Sequence, residues 1–149
     1  MADELYVDIV TPDDRAFRGH ASGVRAPGVE GSFEVLKNHA PLIAALGVGP
    51  LVVRTQDAHE YADMHDDRIV FATTGGFLEV LDNKVTVLAD AVELASEIDV
   101  ERAQAAEKRA LDRLQQGSSD DIDRERAEAA LERARGRLRV AMGQVGAAR

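Results

Sequence analysis

The 149-residue sequence predicts an all-β sandwich or flattened barrel over residues 1–90, followed over residues 91–149 by an antiparallel α-helical hairpin. Three observations carry this. Short segments with strand period, punctuated by Gly, Pro, Asn and Asp, fill the first 90 residues. A hexapeptide with the chemistry of a helix start occurs twice, as Ile98-Asp99-Val100-Glu101-Arg102-Ala103 and as Ile122-Asp123-Arg124-Glu125-Arg126-Ala127. Around those copies alanine recurs at helical spacing.

The first strand reads from Leu5-Tyr6-Val7-Asp8-Ile9-Val10, which alternates around Leu5, Val7 and Ile9 before Thr11-Pro12-Asp13-Asp14 turns the chain. Further strands are expected over 17–26, 32–36, 49–55, 68–72, 76–81 and 84–88. Their close spacing suits antiparallel pairing, and Leu81-Asp82-Asn83-Lys84-Val85 reads as a hairpin turn. A short helical turn could interrupt the pattern near Ala40-Pro41-Leu42.

Each hexapeptide puts Asp at the N-cap and Glu in the first turn, where the helix dipole favours a carboxylate. Its Ile lies just outside, placed to pack back on the Ala four positions in. Gly117-Ser118-Ser119-Asp120-Asp121 supplies the turn between the helices. In the first helix Val100, Ala103, Ala106, Ala110 and Leu114 share a face; in the second Ala127, Leu131, Ala134, Leu138 and Ala141 do so. An alanine seam buries little area at about 25 cal/mol per Å². Helices of roughly 18 to 20 residues are also marginal alone. The expectation is therefore a hairpin that docks lightly and can be repositioned.

Composition narrows the function classes. There is no cysteine, which excludes disulfides, thiolate metal sites and thiol catalysis. No run reaches the roughly 20 apolar residues of a membrane span, and Met1-Ala2-Asp3-Glu4 lacks the basic start of a signal peptide, so a cytosolic protein is expected. Of the net charge of −9, residues 1–90 carry −8 and residues 91–149 only −1. After Glu132 the chain is purely cationic, with Arg133, Arg135, Arg137, Arg139 and Arg149. The acidic body excludes nucleic acid as a general partner, while the basic end suits a local acidic surface.

Catalytic constellations are missing. His20, His39, His59 and His65 have no close ligand spacing, Ser22 and Ser32 lack a nucleophile-elbow context, and Gly47-Val48-Gly49-Pro50 is followed by a strand with no phosphate-loop lysine. The expectation is a protein without catalytic residues and without a metal site.

Several blocks together carry a family resemblance. These are Phe17-Arg18-Gly19, the run from Glu30-Gly31-Ser32-Phe33 through Asn38-His39-Ala40-Pro41-Leu42, Gly75-Gly76-Phe77-Leu78-Glu79-Val80, Asn83-Lys84-Val85-Thr86-Val87-Leu88-Ala89-Asp90, and Ile98-Asp99-x-x-Arg102-Ala103. In this order and spacing, over nearly the whole chain, they resemble the ε subunits of bacterial F-type ATP synthases. The resemblance implies a ten-stranded β-sandwich and a two-helix domain in a non-catalytic stalk subunit, peripheral to the cytoplasmic face of the inner membrane. The sandwich would bind the γ subunit and stand on the ring of c subunits, coupling proton-driven rotation to ATP synthesis. Glu30, Ser32 and His39, with Ala40 and Pro41 shaping the turn, carry over to that contact region. For His39 the bland alternative is a turn histidine bonded to nearby backbone. The sequence departs from the family pattern at Glu34, where many members have Gly, and at Lys37-Asn38, where many have Pro-Gly.

The hairpin resembles the family's regulatory element, which folds down on the sandwich or extends along γ into the α/β head and blocks ATP hydrolysis. Arg133, Arg135, Arg137 and Arg139 would then meet the acidic loop of the β subunit. Arg133 and Arg137, four apart, share a helix face away from Leu131 and Leu138; the alternative for them is a solvated flank paired to Glu132 or Glu128. Some bacterial members also hold regulatory ATP. By that resemblance Glu93, Ile98, Asp99, Arg102, Ala103, Arg109, Arg133 and Arg137 would form its site, although the Ile-Asp-x-x-Arg-Ala block is equally accounted for as a helix cap. Two other readings stay open: a free-standing ATP-sensing sandwich-and-hairpin protein, and an enzyme on a β scaffold.

Overall fold

The computed structural model describes residues 4–56, 67–117 and 121–143. His59, His65, Arg149, Ser118, Ser119 and Asp120 lie outside them. Ten strands come first: β1 (Leu5–Val10), β2 (Arg15–Ala21), β3 (Gly23–Gly28), β4 (Gly31–Leu36), β5 (Leu42–Leu46), β6 (Gly49–Arg54), β7 (Arg68–Thr73), β8 (Gly76–Leu81), β9 (Lys84–Ala89) and β10 (Val92–Leu94). A 3-10 turn at Ala95–Glu97 leads into α1 (Val100–Gln115) and α2 (Asp121–Ala141). The strands pair in the order β10-β7-β6-β3-β5-β8-β9-β1-β2, with β4 on β3. All pairs are antiparallel except β1 with β9.

Alternation builds the core. Leu5, Val7 and Ile9 of β1 are fully buried, as are Val85 and Val87 of β9, with which Val7 and Ile9 are in register. Phe17, Phe71, Leu51, Ile69 and Leu78 complete the interior from the other strands. Asp8 is the polar exception on β1, and its carboxylate accepts from Arg15 Nε at 3.0 Å.

The structure corrects three sequence expectations here. The segment 17–26 is two strands, because Ser22 bends the chain and its amide turns to Arg54 O at 2.8 Å. No helical turn forms at Ala40-Pro41-Leu42; Leu42 opens β5, a strand that the apolar run Leu42-Ile43-Ala44-Ala45-Leu46 did not announce because it lacks alternation. The chain also forms β10, too short to show a period.

Asn38 accounts for one departure from the family pattern. Its φ of 65° is the left-handed conformation that glycine adopts freely and asparagine tolerates. Its amide donates to Asn83 Oδ1 at 2.6 Å while Asn83 Nδ2 donates to Asn38 Oδ1 at 3.1 Å, tying the β4–β5 loop to the β8–β9 turn. Glu34 is likewise engaged, pairing with Arg54 at 3.1 Å.

The first hexapeptide is a cap as expected: Asp99 has extended backbone, and its carboxylate accepts the Arg102 amide at 3.0 Å. The second is not. α2 already begins at Asp121, so Ile122 and Asp123 lie within its first turn and Ile122 is exposed. Asp121 and Asp123 both complement the positive helix end, so the helix starts ahead of the repeated motif. Ala103 and Ala110 of α1 and Ala127, Ala134 and Leu138 of α2 are buried along the expected seam.

Loss of the α1 cap is a direct test of this assignment. Asp99→Ala is expected to lower stability by about 1 kcal/mol in chemical denaturation, with Asp99→Asn or Asp99→Ser recovering most of it.

Candidate functional site

The hairpin meets the sandwich through α2, which packs on β6, β7 and the 3-10 turn. Its apolar hold is small: Val140 joins Ala72 of β7 and Ile98 in one buried cluster flanked by Val70, Ala95 and Ala141. An ion pair stands beside it. Arg137 donates from Nε to Glu93 Oε1 and from a terminal nitrogen to Glu93 Oε2 at 3.3 Å, a two-point contact from α2 to β10 whose side chains are only 26% and 31% exposed.

Next to this pair, hairpin and sandwich flank a half-open cleft of about 640 Å³. The sandwich side presents Val48, Ala72, Thr73, Thr74 and the segment 91–93. α1 contributes Arg109 and Arg113, one turn apart; α2 contributes Arg133 and Arg137, also one turn apart. Alanines between them, Ala106, Ala110, Ala130 and Ala134, keep the floor low. Four arginines thus line one space with a single carboxylate, Glu93, to which Arg137 is already paired. Arg109, Arg113 and Arg133 have no ion pair among the described residues. The donor set suits a polyanion chemically, since guanidiniums bind phosphate oxygens through paired donors.

The expected nucleotide residues therefore divide. Glu93, Arg109, Arg133 and Arg137 line the cavity. Ile98, Asp99, Arg102 and Ala103 are not among its lining residues: Ile98 packs under α2, Asp99 caps α1, Ala103 is buried in the helix seam, and Arg102 has an exposed side chain. Arg113 was not anticipated, although its spacing of four from Arg109 on one helix was a usable signal.

The remaining arginines have other roles. Arg135 pairs with Glu107 of α1 at 3.0 Å, bridging the two helices, and Arg139 donates to the Arg135 carbonyl at 3.4 Å. Glu128 pairs with Arg124 rather than with Arg133.

Glu30 in the β3–β4 turn and Ala40 and Pro41 in the β4–β5 loop are exposed but lie at opposite ends of β4, so the expected contact residues do not form one cluster; the Ser32 hydroxyl accepts from Arg25 Nε at 3.0 Å. His39 Nδ1 bonds the Ala40 carbonyl at 2.7 Å, the local backbone bond open to a turn histidine. A surface that the sequence reading passed over lies on the outer side of β5, β8 and β9. Phe77 and Leu88 are direct neighbours in register, Ala45 pairs with Phe77, and Ile43 lies two residues along β5. Ile43 is 72% exposed and Phe77 58%, with Leu88 also exposed. Three large apolar side chains in one exposed band mark an interaction face.

Comparison with known proteins places these features. Residues 4–95 match the family model described as ATP synthase, Delta/Epsilon chain, beta-sandwich domain, and residues 96–142 match the companion long alpha-helix domain. The chain is 74% identical over 146 residues to an ATP synthase epsilon chain of Salinibacter ruber, covering 98% of this chain and 97% of that one. It is 48% identical over 108 residues to an ATP synthase epsilon chain of Pelotomaculum thermopropionicum, covering 72% and 74%. In fold it is similar to a chain in the OSCP/F1/c-ring structure of Euglena gracilis mitochondrial ATP synthase, with a TM-score of 0.78 at 22% identity over 94% of this chain and 82% of that one.

The Glu93–Arg137 pair is testable by a double-mutant cycle. Glu93→Gln and Arg137→Gln are each expected to lower the melting temperature, with a coupling of about 1 kcal/mol between them. A coupling near zero would mean that the pair does not hold the hairpin down.

Proposed function

The chain belongs to the ATP synthase delta/epsilon family, with both family domains in order, and from that premise we propose that it serves as the ε chain of an F-type ATP synthase. It is a non-catalytic subunit of that complex. The observation that carries this is the 74% identity to an ATP synthase epsilon chain over nearly the full length of both. No helix among the described residues is long and apolar enough to cross a membrane, consistent with a peripheral place in the assembly.

The finer reading assigns each surface a partner. The apolar band of Ile43, Phe77 and Leu88 suits a broad protein partner, for which the γ subunit is the candidate. The β3–β4 turn with Glu30 and Ser32 and the β4–β5 loop with His39, Ala40 and Pro41, at opposite ends of β4, would supply the contacts toward γ and the c ring. Coupling rotation to synthesis then needs only that both contacts hold at once.

The hairpin is the regulatory part of this proposal. Docked down, it completes the arginine cavity, where ATP would add phosphate contacts to Arg109, Arg113, Arg133 and Arg137 and so favour the docked state. Undocked, the same basic helix would be available to the α/β head and to an acidic loop of the β subunit, restraining ATP hydrolysis. The small apolar cluster at Ala72, Ile98 and Val140 supports such an exchange, since little buried area must be given up.

Two measurements test this. Added to a catalytic head containing γ, the chain is expected to bind and to slow ATP hydrolysis, and a version lacking residues 96–149 to bind without slowing it. Failure to bind γ would overturn the stalk assignment, and binding without inhibition would leave the scaffold role alone. In calorimetric titration of the free chain with ATP, heat is expected that falls about tenfold or more in apparent affinity for Arg133→Ala. Silence would remove the nucleotide from the account; heat without γ binding would favour a free-standing ATP sensor.

A further inference from the structure

Gly136 lies in the body of α2 and is buried, although glycine is the least helix-favouring residue apart from proline. Nothing in the backbone calls for it there, since the residues of strained positive φ lie elsewhere. Its reason is across the interface. A Cβ at position 136 would come 2.5 Å from Val48 Cγ1, far inside any real contact, and the next nearest atom beyond the helix is Val48 Cβ, at 4.0 Å. Val48 is held at the turn between β5 and β6, where Gly47 N–H donates to the Pro27 carbonyl at 2.7 Å, and its β-branched side chain has little rotational freedom.

We infer that Gly136 and Val48 form a steric key that sets how closely α2 approaches the sheet, and thereby positions the arginine cavity. Gly136 directly precedes Arg137, so the same close approach that admits Val48 brings the guanidinium within reach of Glu93. Ala134 and Val48 both line the cavity, so the key lies at its edge. Lifting α2 by the width of a methyl group would draw Arg137 off Glu93 and, because α1 travels with α2, carry all four arginines away from the sandwich wall of the cleft. Gly136 is thus a positioning residue that need not itself touch a ligand. The inference concerns the docked geometry alone and stands apart from whether ATP is the ligand or ATP hydrolysis is inhibited.

The absence of native cysteine permits a clean distance measurement. Spin labels at Ser22→Cys on the sandwich and Glu132→Cys on α2 would report the hairpin's position, both residues being exposed and outside the cavity lining. In that background Gly136→Ala improves the helix yet is expected to undock it, broadening and lengthening the distance distribution and lowering the docked-to-undocked ratio about tenfold or more. Val48→Ala removes the clashing Cγ1 and leaves only the Cβ, so the double variant Gly136→Ala, Val48→Ala is expected to restore the parent distribution. A Gly136→Ala distribution identical to the parent would overturn the key, as would a double variant that stays as undocked as the single one. Circular dichroism of Gly136→Ala separates undocking from helix loss, with undiminished helix signal expected.

Discussion

Everything the hairpin can do depends on how little holds α2 to the sheet. The sandwich is closed by interlocked aliphatic and aromatic side chains from every long strand, with Leu5, Val7, Ile9, Phe17 and Phe71 wholly or almost wholly removed from water. Among the described residues the helix contact has one buried cluster, Ala72 with Ile98 and Val140, the close approach of Gly136 to Val48, and one ion pair, Glu93 with Arg137. Burying Val140 and Ile98 is worth about 1.5–3 kcal/mol each and the part-buried ion pair about 1 kcal/mol or less, whereas the sheet core holds fifteen buried side chains of valine size or larger. The two parts of the chain therefore differ in kind: one is a scaffold and the other a docked element.

Within the hairpin the balance is reversed. Ala103 and Ala110 against Ala127, Ala134 and Leu138 let the helices approach closely, and Glu107 with Arg135 ties them from outside. Small side chains give up hydrophobic area but admit close backbone packing. The same small residues leave room for arginines to turn inward over the seam. A leucine-rich hairpin would be more stable and would fill the cavity that Arg109, Arg113, Arg133 and Arg137 line.

How much of this was legible in the sequence follows from the range of the interactions. Local signals were readable: the alternation of β1, the Asp99 cap and the alanine seam each depend on neighbours within one or two turns. Where the local signal was ambiguous the reading failed. Leu42-Ile43-Ala44-Ala45-Leu46 has no period to separate strand from helix, and the second hexapeptide repeats the composition of a cap without its position, because Asp121 already serves the helix start. The family blocks supplied the rest of the architecture. They could not show that Arg137 meets Glu93, that Arg113 joins the cavity, or that Gly136 stands opposite Val48, since these contacts join residues far apart in the chain. The exposed band of Ile43, Phe77 and Leu88 is a middle case: alternation puts Phe77 outward, but its pairing with Ala45 and Leu88 needs the register.

The central claim is that the docked hairpin is a separate, weaker unit than the sheet on which it rests. Native-state amide exchange of the full chain measures this most directly, comparing residues 134–141 of α2 with the core positions of β1 and β9. The account predicts that the α2 amides exchange through an opening that leaves the sheet intact, at a free energy clearly below that of the β1 and β9 amides. Equal protection in both, lost together only on global unfolding, would contradict it.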